Sequence, residues 1–95
     1  MGFLQNKIAV ITGASKGIGR AVVEAYANEG AIVYCVSRTQ QDLENVVDSI
    51  KSNGGQAIAF KADVTKFDHM IQLFDHVGQC HGKLDILVAN AGGNI

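Results

Sequence analysis

The stretch Lys7-Ile8-Ala9-Val10-Ile11-Thr12-Gly13-Ala14-Ser15-Lys16-Gly17-Ile18-Gly19 decides the reading of this chain. Lys7 to Ile11 is a short apolar, β-branched run of the kind that lies in a buried strand. Beyond the glycines, Ile18, Ala21, Val22, Ala25 and Tyr26 recur at i, i+3, i+4, i+7 and i+8, which predicts the buried face of a helix. Between strand and helix, Gly13 and Gly17 reach backbone angles closed to other residues and leave the main chain open to a ligand. The free N–H groups and positive dipole end of the new helix then point at that ligand, which favours a phosphate. The spacing is G-x-x-x-G-x-G, not the G-x-G-x-x-G of the better-known dinucleotide fingerprint. Nor is it a P-loop, because Lys16 sits inside the loop and no Gly-Lys-Ser/Thr closes it. For the loop alone, a turn with no ligand is the competing reading.

Working outward, Gly30 ends the first helix and Ala31 to Val36 forms a second near-continuous apolar strand. Thr39 with Asp42 predicts a capping box, and Leu43, Val46, Val47 and Ile50 give the second helix its stripe before Asn53-Gly54-Gly55 stops it. Gln56 to Lys61 is a third strand. Thr65 with Asp68 repeats the cap, Phe67, Met70, Ile71, Phe74 and Val77 repeat the stripe, and Leu84 to Ala89 is a fourth strand. Strands alternating with helices of this length predict an α/β, Rossmann-like chain, β-α-β-α-β-α-β, with parallel strands in the order 3-2-1-4. That is half of a doubly wound sheet. Ligands of such sheets bind at the carboxyl ends of the strands, beside the reversal of strand order. Gly13 to Gly19 follow strand 1, Ser37-Arg38 follow strand 2, Asp63-Val64 follow strand 3 and Asn90-Ala91-Gly92 follow strand 4, so all converge on that edge.

Ninety-five residues suit a single domain with a thin core, burying about 60–65% of the unfolded surface. Hydrophobic content of 47% against 18% charged residues is that of a globular chain, not a disordered one. A net charge of −1 offers no general attraction to nucleic acid or to anionic membranes. No apolar run reaches the ~18–20 residues that span a bilayer, and the N-terminus lacks a secretory layout, so the expected setting is cytoplasmic. Cys35 reads as a small core residue and Cys80 as a reduced thiol at a helix end. His69, His76 and His81 read as solvated, and Cys80-His81 with His76 lacks the second pair of ligands that a metal site needs.

Thr12-Gly13-Ala14-Ser15-Lys16-Gly17-Ile18-Gly19 resembles the T-G-x-x-x-G-x-G cofactor loop of the short-chain dehydrogenases/reductases. Asp63-Val64 resembles that family's adenine-contacting pair, and Asn90-Ala91-Gly92 its N-A-G motif. The resemblance implies a nicotinamide dinucleotide held by Gly13, Ser15, Lys16, Gly17, Ile18, Gly19, Ser37, Arg38, Asp63, Val64, Asn90, Ala91 and Gly92. It also implies hydride transfer to or from a carbonyl or alcohol substrate. NAD-specific members usually place an acid at the end of strand 2 to hold the ribose hydroxyls. Here Ser37-Arg38 stands there, and a hydroxyl with a guanidinium fork suits a 2′-phosphate, as does Lys16. NADP(H) is therefore expected over NAD(H).

The family's catalytic Ser and Tyr-x-x-x-Lys have no counterpart in the 95 residues. Tyr26 is followed four residues later by Gly30, and Tyr34 by Arg38. The expectation is that residues 1–95 form the N-terminal, nucleotide-binding part of a Rossmann domain, truncated after strand 4. It carries a cofactor site without catalytic residues, an open strand edge, and a tendency to self-associate or pair with a complementing half. A nucleotide-binding module without turnover and a structural piece that pairs with a full-length relative are the alternatives.

Overall fold

A computed structural model describes residues 2–90. Ala91 and Gly92, expected at the cofactor site, lie outside the described residues. The element order is β1 (Ile8–Thr12), α1 (Gly17–Asn28), β2 (Ile32–Ser37), α2 (Gln40–Ser52), β3 (Gln56–Lys61), α3 (Phe67–His81) and β4 (Ile86–Ala89). The sheet is four-stranded in the order β3-β2-β1-β4. Its strands are parallel throughout, with Val10 opposite both Tyr34 and Leu87. The predicted half of a doubly wound sheet is what forms.

All five residues of β1 are buried, as expected of a strand covered on both faces. Ala9 and Ile11 point into one core with Val33, Cys35 and Ala57, beneath Val23 and Ala27 of α1 and Leu43, Val46, Val47 and Ile50 of α2. Ile8 and Val10 point the other way, into a smaller core with Tyr34, Val36 and Ala62 under Leu73 and Val77 of α3. A fully buried aliphatic side chain is worth roughly 1.5–3 kcal/mol. With Leu73 and Val77 its only fully covered side chains, α3 is held less firmly than α2, which buries four.

Several local expectations are corrected. The inward face of α1 is Gly19, Val23 and Ala27, with Val22 and Tyr26 half-buried. Ile18 is 75% exposed and Ala21 and Ala25 are also exposed, because the loop brings the chain into α1 with Gly19, not Ile18, turned inward. On α3, Leu73 takes the buried place assigned to the Ile71 and Phe74 face, leaving Phe67, Ile71 and Phe74 exposed. Neither predicted capping box forms. Thr39 is the N-cap of α2 without a side-chain bond, and Lys66, not Thr65, is the N-cap of α3. β4 begins at Ile86, two residues late, because Asp85 turns back on β1. Its N–H donates to the Ile8 carbonyl at 2.9 Å, and its Oδ2 accepts the Ile8 N–H at 2.8 Å.

The predicted helix stops hold. Gly30 and Gly54 follow α1 and α2, and each end is closed by paired bonds, Ala31 N–H to Tyr26 O with Gly30 N–H to Ala27 O, and Gly55 N–H to Ile50 O with Gly54 N–H to Lys51 O.

Candidate functional site

The loop between β1 and α1 is shaped by backbone needs that only glycine meets cheaply. Gly13 (φ 64°) and Gly17 (φ 56°) both adopt the left-handed region, closed to most side chains. Gly19 is required for another reason: a Cβ there would run into the Gly13 carbonyl oxygen and lie 2.8 Å from Asn90 Nδ2. The first turn of α1 thus presses directly on the loop. Further ties fix the loop in place. The Ala14 N–H donates to the Val36 carbonyl at 3.2 Å, and Ser15 Oγ donates to Ser37 Oγ at 3.4 Å.

From the other side, Asn90 holds the loop through both its backbone and its side chain. Its N–H donates to Thr12 Oγ1 at 2.9 Å and its Nδ2 donates to the Gly13 carbonyl at 3.3 Å, while the Thr12 hydroxyl reaches the Val88 carbonyl at 3.4 Å. The ends of β1 and β4 are stitched together beneath the glycines. Above them, the N-terminus of α1 has no side-chain cap, as in α2 and α3, but unlike them, with Asp42 and Asp68, it has no acidic residue in its first turn. Its free N–H groups point outward with the positive end of the helix dipole.

Beside the loop lies a hollow of about 260 Å³ at the carboxyl ends of β1, β2 and β3. It is lined by Gly13, Val36, Ser37, Arg38, Ala62, Asp63, Val64 and Thr65. Pockets that enclose a whole drug-sized ligand run ~300–1,000 Å³, so this one suits one end of an extended ligand. Asp63 forms its wall by an Asx turn, its Oδ1 accepting from Thr65 N at 2.9 Å and Thr65 Oγ1 at 2.6 Å. Those bonds, with Arg38 and Lys66 nearby, hold the Asp63 carboxyl below the usual carboxylate range. Lys16 extends over the exposed side of the loop and pairs with Asp42.

The structure thus brings Gly13, Ser15, Lys16, Gly17, Ile18, Gly19, Ser37, Arg38, Asp63, Val64 and Asn90 to one edge of the sheet. What sequence reasoning missed is the support. The expected solvated histidines are engaged: His69 Nδ1 accepts the Asp63 N–H at 3.0 Å, and His81 Nε2 lies 2.9 Å from the Tyr34 hydroxyl. His76 packs edge-on against Tyr34 and Phe60, with ring centroids 5.5 Å apart. Asp-x-Thr at 63–65 was a readable Asx signal, but no signal marked His69, because its partner is a backbone group of another segment.

The model of the short chain dehydrogenase family matches residues 7–95. The chain belongs to the short-chain dehydrogenases. It is similar to an uncharacterized oxidoreductase of Bacillus subtilis, YxbG, 46% identical over 92 residues that make up 97% of this chain and 34% of that protein. The crystal structure of a hydroxysteroid dehydrogenase from Escherichia coli is 41% identical with a TM-score of 0.90, over 95% of this chain and 38% of that one. L-sorbose reductase from Gluconobacter frateurii, solved with NADPH and L-sorbose, is 36% identical with a TM-score of 0.90, over 97% of this chain and 36% of that one. The chain spans about a third of the length of these relatives.

Short-chain dehydrogenases bind a nicotinamide dinucleotide, and the geometry here fits one. The close approach at Gly19, the left-handed Gly13 and Gly17 and the uncapped start of α1 make a cradle for a pyrophosphate, and the hollow adjoins it. A second hollow of about 270 Å³ lies at the opposite end of the sheet, under the carboxyl ends of α1 and α2 at Asn28 and Asn53. The negative dipole ends there repel an anionic dinucleotide.

Proposed function

We propose that this chain binds NADP(H) in preference to NAD(H), as the cofactor half of a reductase that interconverts a carbonyl and an alcohol. The observation that carries the reading is the rim of the hollow. Ser37 and Arg38 line it where an NAD-binding site would place a carboxylate, and Lys16 stands over the adjoining loop. A carboxylate would repel a 2′-phosphate, whereas a hydroxyl and a guanidinium fork hydrogen-bond it. The NADPH found with L-sorbose reductase supports the same choice.

In this reading Gly13, Ser15, Gly17, Ile18 and Gly19 carry the pyrophosphate on backbone N–H groups, and Asp63 and Val64 border the adenine. Asn90 keeps the loop in register, and Ala91 and Gly92, outside the described residues, join the cofactor set through their likeness to the N-A-G motif alone. The bound nicotinamide supplies or accepts the hydride. The chain's own residues bind and orient it, and these 95 residues contain no Tyr-x-x-x-Lys to donate the proton. The same reading includes association with a complementing half, supported by the exposed Leu87 on the α3 face of β4. It also places the protein in the cytoplasm, whose reducing conditions suit the free thiols Cys35 and Cys80. Among the described residues no helix is long and apolar enough to cross a membrane.

Titration of isotope-labelled chain with NADPH, with NADH as comparator, followed by amide NMR, tests the binding claim. Saturable shifts at Gly13 to Gly19, Arg38, Asp63 and Asn90, tighter for NADPH, are expected. Arg38→Asp should weaken NADPH binding by about ten- to a hundredfold, the worth of hydrogen bonds to a charged group, and leave NADH binding within a fewfold. Equal affinity for the two nucleotides in the parent chain would overturn the preference.

A further inference from the structure

Lys16 is already engaged at the mouth of the site. Its Nζ lies 3.9 Å from Oδ2 of Asp42, with the lysine side chain 83% exposed and the aspartate 31% exposed. The two partners differ in freedom. Asp42 is short, partly covered, placed in the first turn of α2 where the helix dipole favours a carboxylate, and followed by the fully buried Leu43. Lys16 carries a strongly hydrated ammonium on a flexible four-carbon stem. An exposed pair of this kind is worth little, because solvent screens it and the lysine loses rotamer freedom in making it. The arrangement is a mobile cation resting on a fixed carboxylate.

That pair spans the two segments that flank the hollow. Ser15 Oγ reaches Ser37 Oγ, and the same Ser37 oxygen accepts the Thr39 N–H at 3.3 Å, so the glycine loop and the start of α2 meet at Ser37. A 2′-phosphate beside Ser37 and Arg38 would therefore compete with Asp42 for the Lys16 ammonium.

We propose that Asp42 is a positioning residue that limits 2′-phosphate binding by holding Lys16 in the free chain. The inference rests on the NADP(H) reading above and deepens it. Binding the 2′-phosphate exchanges one anion for another at the Lys16 ammonium. The neutral 2′-hydroxyl of NADH asks for no such exchange. Asp42 thereby acts on discrimination between the two nucleotides and not on binding of their shared parts.

The test is a set of dissociation constants for NADPH and NADH, measured by calorimetry on the 95-residue chain and its variants. Asp42→Asn should tighten NADPH binding about two- to fivefold, the range of an exposed ion pair, with NADH unchanged. Asp42→Glu, which keeps the charge, should behave as the parent. In a Lys16→Met background, Asp42→Asn should have no effect on either nucleotide, which separates release of the lysine from direct repulsion of the phosphate. Loss of the first-turn carboxylate lowers helix stability, so tighter binding cannot come from a firmer fold. Independently of any variant, NADPH and not NADH should shift the Lys16 side-chain NMR signals of the parent chain.

NADPH-selective binding by the parent with no gain in Asp42→Asn, or a gain that persists without Lys16, would overturn the role of Asp42 alone. Unselective binding by the parent, or binding of neither nucleotide, would overturn the cofactor reading and the role of Asp42 with it.

Discussion

At the scale of single residues, Gly19 shows how little room the site leaves for change. A methyl group there would meet the Gly13 carbonyl, which is backbone, and the Asn90 side-chain amide, which is held by its hydrogen bond to that same carbonyl. Gly19→Ala should cost about 3 kcal/mol, the upper end for overpacking, measured by urea denaturation. Gly17 makes a useful contrast. It has open space around it, so its requirement is the left-handed backbone alone, and Gly17→Ala should cost about 1 kcal/mol. Of the charged residues at the mouth, Lys16, Arg38 and Asp63 were legible as residue types at fixed offsets. Asp42 was legible only as a helix-capping acid, because its contact with Lys16 crosses from one βα unit to the next.

Among the helices, α3 is held to the sheet and the site's wall by specific polar contacts of its own side chains as well as by packing. Tyr34 is wholly buried in β2, yet its hydroxyl meets His81 Nε2 at 2.9 Å and its ring touches His76 and His81 edge-on. His69, at the other end of the helix, accepts from the backbone of Asp63. The helix is thus tied to the sheet at its carboxyl end and to the site's wall at its amino end. Tyr34→Phe keeps the ring and removes the hydroxyl. It should cost about 1 kcal/mol and speed hydrogen exchange in the last turn of α3 more than in α1 or α2. The helical periods that placed α1 and α3 were sound as to helix and found Val22, Tyr26, Met70 and Val77. They missed Val23, Ala27 and Leu73, and put Ile18, Ala21, Ala25, Phe67, Ile71 and Phe74 inward where they are exposed. Apolar spacing in these stretches admits neighbouring faces, and only the way the chain enters from the preceding loop chooses between them.

For the whole molecule, stability against pH follows from the groups the fold buries. Burial pushes the Cys35 thiol from its ordinary 9.0 up to about 12. Burial, with the Cys80 thiol alongside, pushes Tyr34 from 10.0 to about 12. Both pKa values are raised in the folded chain, so the unfolded chain loses these protons first. Stability is full below pH 9 and falls above it by about 1.4 kcal/mol per pH unit, more steeply once Tyr34 joins above pH 10. Cys35→Ala should move the onset of that loss from about pH 9 to about pH 10, read from urea midpoints across the alkaline range. At the acid end the signs reverse. Asp63 and Asp85 are held below the usual range by hydrogen bonds, from Thr65 and from the Ile8 N–H respectively, so their contribution is present above about pH 4 and lost as pH falls through their folded values.

The apolar surface is also a property of the whole. Leu87 is 50% exposed, and Ile71 and Phe74 of α3 are exposed as well. Self-association through this surface should appear as concentration-dependent sedimentation. Leu87→Ser with Phe74→Ser removes roughly 3 kcal/mol of apolar burial from such a contact and should weaken it about a hundredfold.

By itself the sequence determined the alternation of strands and helices, the parallel sheet with its order 3-2-1-4, and the edge on which the glycines, Ser37, Arg38, Asp63 and Asn90 gather. Those features follow from local periodicity, turn residues and the handedness of βαβ units, which act over short stretches of chain. Only the tertiary structure decided that Asn90 pins Gly13, that Gly19 must lack a side chain, that Lys16 rests on Asp42, and that the three histidines of α3 are engaged. Apart from the approach of His69 to Asp63 and of Gly19 to Gly13, which fold a connecting loop onto the helix it leads into, these are contacts between segments brought together by the sheet. Their distances and angles depend on how far the helices rotate and press inward, which no spacing within one segment encodes.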